Sequence, residues 1–129
     1  MLMIDFIKLK IVNLPSSNIL DFGCGDGRLL FELKSETKNK YFGYDISKQA
    51  NMLFNAFNPE VKLINEQNNL NNYNDFFDVI TFSEVIEHNP ENELSINISV
   101  IHSILKKNGL LIITAPHENT PVRKKHYRH

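Results

Sequence analysis

An acidic residue and three glycines stand at alternate positions near the start of the chain: Asp21, Gly23, Gly25 and Gly27. An apolar strand pattern comes before them, and an apolar helical pattern comes after them. Because glycine lacks Cβ, such a turn lets the backbone approach a ligand closely at a helix N-terminus. The run therefore predicts a ligand-binding strand–turn–helix unit. The alternative is an ordinary loop between a strand and a helix.

A second acidic residue, Asp45, ends the apolar segment 41–45 and stands eighteen residues beyond Gly27. A carboxylate at this place in a βαβ unit can accept hydrogen bonds from both hydroxyls of a ribose. Ser47 follows as a candidate helix N-cap, so Asp45 could also serve that helix N-terminus. The two roles are compatible, and both stay open at this point.

Glu84, Glu87 and His88 follow the apolar segment 77–82 at positions i, i+3 and i+4, which share one face of a helical turn. His88, oriented by either glutamate, could take a proton from a hydroxyl, because imidazole titrates near neutral pH. Two carboxylates and an imidazole could instead hold a divalent metal. A third reading gives His88 a structural role before Asn89 and Pro90.

The elements that must position these residues alternate between strand and helix patterns. The predicted strands cover residues 19–22, 41–45, 61–64, 77–82 and 110–114. The predicted helices cover residues 1–14, 29–33, 47–57 and 94–105, with Asn108 and Gly109 ending the last one. The alternation predicts an α/β fold, a Rossmann-like doubly wound and mostly parallel sheet with helices on both faces. Such sheets bind ligands at the carboxyl ends of their strands, where these acids and glycines fall.

The spacing of the glycines separates two families. A dinucleotide-binding Gly-x-Gly-x-x-Gly turn counted from Gly23 would need its third glycine at Arg28, which disfavours a nicotinamide oxidoreductase. The Asp-x-Gly-x-Gly-x-Gly run of residues 21–27 resembles the first motif of class I S-adenosylmethionine-dependent methyltransferases. Residues 77–88 resemble the post-strand motif of their small-molecule, type 11-like branch. Residues 105–116 resemble the family's turn and fifth strand, with Asn108 where glycine is common.

This resemblance implies a strand order of 3-2-1-4-5 and S-adenosylmethionine as cofactor, with S-adenosylhomocysteine as product. It implies that Asp21 and the glycine-loop backbone hold the methionine end and that Asp45 holds the ribose. Glu66, twelve residues before Asp78, and the backbone of Gln67 would hold the adenine, although a solvated loop acid is the alternative for Glu66. Ser83 would line the sulfonium side. The implied cofactor-binding set is Asp21, Phe22, Gly23, Cys24, Gly25, Gly27, Asp45, Ile46, Glu66, Gln67 and Ser83.

The same resemblance implies catalysis by His88 with Glu84 and Glu87. Small-RNA 2′-O-methyltransferases share this Glu-x-x-Glu-His pattern and use a metal, but they need a further histidine beyond the fifth strand. His117, His126 and His129 are candidates, but none lies in a matching context, so a divalent metal is possible but not favoured and no metal site is assigned. The expected function is O-methylation of a small molecule or sugar. The alternative is a non-catalytic methyltransferase-fold partner or scaffold subunit that still binds the cofactor.

The 129 residues suit a single domain, with an N-terminal helix at 1–14, a core at 17–116 and a C-terminal basic tail at 117–129. The tail is too short for the family's usual last two strands, so we expect the sheet to lack them. The exposed edge of the fifth strand then favours a homodimer or a covering partner. A net charge of −1 gives no electrostatic footprint for nucleic acid or a membrane. One cysteine and no apolar run long enough to span a bilayer predict a cytoplasmic protein.

Overall fold

The computed structural model of the chain describes residues 3–83, 91–117 and 120–128. Its helices are α1 (Met3–Val12), α2 (Arg28–Leu33), α3 (Lys48–Phe57) and α4 (Glu91–Ile104), together with a 3₁₀ helix at Gln67–Tyr73. Its strands are β1 (Asn18–Phe22), β2 (Lys40–Tyr44), β3 (Lys62–Ile64), β4 (Phe77–Ser83), β5 (Leu105–His117) and β6 (Thr120–Arg128). The 3₁₀ helix lies in the asparagine-rich loop, which has no periodic pattern of apolar residues.

The sheet has the order β3-β2-β1-β4-β5-β6. Its first five strands are parallel, so the predicted order 3-2-1-4-5 is confirmed. From β1 the chain continues through β2 to β3 on one side of the sheet, and β4 and β5 then lie on the other side of β1. The strand order therefore reverses between β1 and β4. In sheets of this kind the crevice at the carboxyl ends of these strands is the ligand-binding position.

The C-terminal segment differs from the expectation. Residues 117–129 were expected to form a basic tail, but Thr120–Arg128 pairs with β5 in antiparallel register. The edge of β5, expected to be free for a partner, is therefore covered by the same chain. Covering an edge satisfies backbone N–H and C=O groups, and lysine and arginine residues are typical of the strand that becomes the new edge. A homodimer stays a prediction, but the edge of β5 no longer supports it.

β5 also begins earlier than predicted. Leu105 pairs with Phe77, the register shifts, and regular pairing with β4 resumes at Leu110. Asn108 lies within this irregular stretch with φ 68°, the left-handed conformation that the substitution for glycine predicts. α4 consequently ends at Ile104 and not at Asn108.

Two hydrophobic clusters cover the two faces of the sheet. The first contains Ile7 and Ile11 of α1, Leu30 and Leu33 of α2, and Phe54 of α3. They pack on buried residues of β1, β4 and β5. The second joins Ile101 and Ile104 of α4 and Leu70 of the 3₁₀ helix to the opposite face. Helices therefore lie on both faces, as predicted, and the carboxyl edge of the sheet lies between these two layers.

Candidate functional site

The glycine-rich loop leaves β1 directly under the end of β2. The carbonyl of Tyr44 accepts hydrogen bonds from the N–H groups of Gly23 at 2.7 Å and Cys24 at 2.9 Å. Gly23, Gly25 and Gly27 all have positive φ, at 81°, 56° and 84°. L residues rarely adopt this conformation, so the turn requires glycine at each alternate position. The spacing seen in the sequence is thus the spacing of left-handed residues in the loop.

The carboxylate of Asp45 connects the loop to α3. Its Oδ2 accepts a hydrogen bond from the Gly25 N–H at 2.8 Å, and its Oδ1 accepts one from the Ser47 N–H at 2.9 Å. Ser47 is the N-cap of α3, and its Oγ accepts from the Ala50 N–H at 3.3 Å. Asp45 therefore stabilises the start of α3, which is the helix-capping role considered for it above, and it also bonds to the glycine loop. Each carboxylate oxygen retains a lone pair for a further donor.

Asp21 lies beneath the loop at the centre of the sheet and is only 5% exposed. Burial raises the pKa of its carboxyl to about 6; the hydrogen bond from the Thr81 hydroxyl opposes this rise and the charge of Asp45 adds to it. No ion pair within the described residues involves Asp21. Its position gives the loop a negative charge from below. Because Asp21 is buried, its side chain is not expected to contact a ligand in the cleft directly.

A cleft of about 460 Å³ opens at the carboxyl ends of β1, β2 and β4. Six of the predicted cofactor-binding residues line it: Phe22, Gly23, Asp45, Ile46, Gln67 and Ser83. Aromatic rings form part of this wall, because Phe22 packs against Tyr44 with centroids 4.8 Å apart and edge-on against Phe82 at 5.5 Å. Ser83 faces β5, and its Oγ lies 3.0 Å from Oγ1 of Thr114. The volume lies within the range of small-molecule sites.

Five other predicted residues do not line the cleft. Asp21 and Cys24 are buried behind it, and Glu66 is an exposed residue that precedes the 3₁₀ helix without a side-chain capping bond. Gly25 and Gly27 contribute backbone to the loop, and Gly27 faces a separate hollow on the α2 side. Burial, and after it the charges of Asp21 and Asp45, raise the pKa of the Cys24 thiol. The thiol stays protonated, which suits a small residue in a turn and not a nucleophile.

The methyltransferase domain pattern matches the chain over residues 3–129, essentially its whole length. The chain belongs to this methyltransferase domain family. No curated protein matches it. The predicted class I, Rossmann-like fold of this family is therefore confirmed.

Solved structures support this fold for the methyltransferase domain. The PH0226 protein from Pyrococcus horikoshii superposes with a TM-score of 0.76 at 22% identity, over 87% of this chain and 54% of that chain. A TehB-like SAM-dependent methyltransferase from Corynebacterium glutamicum gives 0.70 at 22% identity, over 86% and 61%. The plantazolicin methyltransferase BpumL, in complex with a pentazolic desmethylPZN analogue and SAH, gives 0.63 at 22% identity, over 87% and 43%. The chain spans about half the length of these structures.

Five residues of the methyltransferase domain's cleft were missed by sequence reasoning: Tyr44, Phe82, Glu93, Ile96 and Asn97. The first two lie in the predicted strands 41–45 and 77–82 and carry no polar group that marks them as ligand-binding except the Tyr44 hydroxyl. The other three lie at positions i, i+3 and i+4 on α4 and so share one face of that helix. That face carries an acid, an apolar residue and an amide. Only the expectation that α4 begins beside the carboxyl end of β4 could have indicated them.

The predicted catalytic residues Glu84, Glu87 and His88 lie outside the described residues of the domain, so their roles stay predictions. Within the described ranges, no group of three or more His, Cys, Asp or Glu residues is arranged to hold a metal ion. None of the helices in that part of the chain is long and apolar enough to cross a bilayer.

Proposed function

We propose that this domain binds S-adenosylmethionine in the cleft between the glycine-rich loop and α4 and transfers its methyl group to a hydroxyl of a small molecule or sugar. The observation that carries the proposal is the position of Asp45. Its carboxylate lies on the cleft wall, in hydrogen-bond contact with the Gly25 amide of the loop. Family membership and the SAH complex of BpumL support the choice of cofactor.

The glycine loop fits a bound cofactor because its backbone is accessible. A Cβ built on Gly23 or Gly25 would meet no other atom within 4 Å, so these two glycines face open space and not packed side chains. A ligand can therefore come within van der Waals contact of the loop backbone. The buried charge of Asp21 lies below and would favour the cationic methionine end of the cofactor through its field.

Asp45 and its neighbours fit the adenosine part of the cofactor. The free lone pairs of the two Asp45 oxygens can accept both hydroxyls of a ribose while keeping the bonds from Gly25 and Ser47. Ile46 is 67% exposed on the cleft wall, beside Gln67 of the 3₁₀ helix. An exposed apolar side chain next to an amide suits the face and edge of a purine. We assign the adenine to these two residues.

The sulfonium supplies an electrophilic methyl group when the cofactor is bound. The protein must then hold the acceptor oxygen in line with the methyl carbon and accept the hydroxyl proton as the carbon–oxygen bond forms and the carbon–sulfur bond breaks. The negative charges of Asp45, which lines the cleft, and of the buried Asp21 favour the cationic cofactor over an anionic competitor. His88, with Glu84 and Glu87, is the predicted proton acceptor, because these residues follow the cleft residue Ser83 directly in the chain.

Calorimetric titration with S-adenosylhomocysteine tests the cofactor site. We expect Asp45→Asn to weaken binding by about ten-fold or more, because hydrogen bonds to a carboxylate are worth about 1.5–3 kcal/mol. Asp26→Asn is the matched control, because Asp26 belongs to the same loop but lies outside the cleft, where it pairs with Arg28 at 3.4 Å. Equal affinity of both variants and the wild type would contradict the proposed site.

Binding does not distinguish the enzyme from a non-catalytic subunit of the same fold, since both would keep the cofactor. Transfer of a labelled methyl group to a panel of hydroxyl acceptors makes that distinction. We expect turnover in the wild type and its loss in His88→Ala with SAH affinity unchanged. Tight SAH binding without turnover on any acceptor would favour the scaffold function.

A further inference from the structure

Two residues that flank α3, one before and one after it, form hydrogen bonds to the glycine-rich loop. At its N-terminus, Asp45 accepts from the Gly25 N–H at 2.8 Å. At its C-terminus, Nδ2 of Asn58, the C-cap residue, donates to the carbonyl of Gly27 at 3.1 Å. The loop is therefore held at two glycines by residues at opposite ends of one helix. Only the first of these residues lines the cleft.

Asn58 is fully buried and its backbone is fixed on both sides. Its N–H donates to the Phe54 carbonyl at 2.8 Å, and its carbonyl accepts from the Val61 N–H at 3.1 Å. Its Oδ1 is buried and has no hydrogen-bond partner within the described residues. A buried amide with an unsatisfied oxygen is costly, so packing alone would favour a leucine of similar shape. The bond from Nδ2 to Gly27 is the contact that an amide supplies and a leucine cannot.

The carbonyl of Gly27 accepts two hydrogen bonds, of which the one from Asn58 is the first. It also accepts from the Phe31 N–H at 2.9 Å, the first hydrogen bond of α2. Gly27 is the left-handed N-cap of that helix, with no side chain to stabilise the helix start. Asn58, which does not line the cleft, therefore fixes the point at which the loop becomes α2.

We propose that Asn58 is a positioning residue of the cofactor site, holding the glycine loop in its binding conformation through Gly27. This inference rests on the proposed function. A loop that is already ordered loses little conformational entropy when a ligand binds, whereas a loop released at Gly27 must be ordered again. Ordering one residue's backbone corresponds to a change in affinity of about ten-fold.

The test separates affinity from stability. Asn58→Leu removes the Nδ2 donor and also the unsatisfied oxygen, and Asn58→Ala removes the whole amide without adding a group that could donate. Asn51→Ala is the control, because Asn51 lies two turns earlier on the same face of α3, is 9% exposed, and also has a buried, unpartnered Oδ1. SAH affinity and stoichiometry would be measured by calorimetry well below the melting temperature of each variant.

We expect both Asn58 variants to bind SAH about ten-fold more weakly with full stoichiometry, and Asn58→Leu to melt at or above the wild-type temperature. Asn51→Ala should bind as the wild type does. Wild-type affinity in folded Asn58→Leu would overturn the inference, and should that variant not fold, Asn58→Ala decides in the same way. If the wild type itself binds no SAH, the proposed function fails. Amide exchange at Gly27 and Phe31 then tests the positioning alone: unchanged protection in the variants would overturn it.

Discussion

The Thr81 hydroxyl donates a hydrogen bond of 2.8 Å to Oδ1 of Asp21, the residue directly beside it in the neighbouring strand. The two side chains lie at the middle of the sheet, where Asp21 is 5% exposed and Thr81 is 2% exposed. Asp21 is the one acidic residue among the buried side chains of the described residues. It gives the stability of the domain a pH dependence that can be measured.

The first prediction concerns Asp21→Asn. With a pKa of about 6 when folded and an ordinary value of 3.8, the folded chain keeps a proton that the unfolded chain has released between these pH values. The free energy of unfolding therefore falls as pH rises from about 4 to about 6, by up to about 3 kcal/mol. The asparagine has no such charge, so Asp21→Asn should be more stable than the wild type at pH 7. Urea unfolding at pH 4, 5.5 and 7 checks this, and parallel pH profiles of both proteins would contradict it.

The second prediction concerns Thr81→Val. The hydroxyl stabilises the ionised form of Asp21, so its removal should destabilise the domain by about 2 kcal/mol at pH 7.5. The loss should be smaller below pH 5, where Asp21 is protonated. In the Asp21→Asn background the same substitution should cost less at pH 7.5, because the acceptor is then neutral. A double-mutant cycle measures this difference, and a loss independent of pH would assign the hydroxyl to packing.

The third prediction compares two glycines of the loop. A Cβ on Gly27 would lie 2.5 Å from Nδ2 of Asn58 and 2.7 Å from the Phe54 ring, whereas a Cβ on Gly25 meets nothing within 4 Å. Both positions have positive φ, so Gly25→Ala should cost about 1–2 kcal/mol from the backbone alone. Gly27→Ala should cost about 3–4 kcal/mol, because the steric overlap adds to the same backbone strain. Equal losses in urea unfolding would mean that the side chains around Gly27 move aside freely.

The fourth prediction concerns the left-handed residue Asn108, whose side chain is exposed. Asn108→Ala should lower the free energy of unfolding by about 1 kcal/mol, because alanine tolerates positive φ less well than asparagine. Asn108→Gly should leave it nearly unchanged. Melting temperatures check the pair, with an expected difference of about 4 °C. A destabilising glycine would indicate that the asparagine side chain makes a contact of its own.

The sequence specified those parts of the fold that depend on local pattern. The left-handed glycines, the Ser47 cap and the turn at Asn108 all follow from backbone chemistry within a few residues. β6 could not be predicted in this way, because Pro121 and four basic residues make 120–128 resemble a solvated tail. Its strand conformation comes from the unpaired edge of β5, which is a tertiary effect.

The same distinction between local pattern and tertiary contact applies to the candidate site. Asp45 and the glycine loop could be found from the sequence because motif spacing fixes them. Thr81 and Asn58 could not, since their partners lie 60 and 31 residues away along the chain. The wall formed by Glu93, Ile96 and Asn97 depends on how α4 is placed over the sheet. Polar residues on a half-exposed helix face carry no signal of their own.

The ring of Phe54 limits how this sequence can diverge. A Cβ on Gly27 would lie 2.7 Å from it and a Cβ on Gly43, in β2, would lie 2.8 Å from it. Two glycines that are distant in the chain thus border the same aromatic volume. A substitution at either one becomes sterically tolerable only after position 54 has lost its ring. Among natural relatives with this packing, a side chain at position 27 or 43 should therefore occur only where position 54 has no ring.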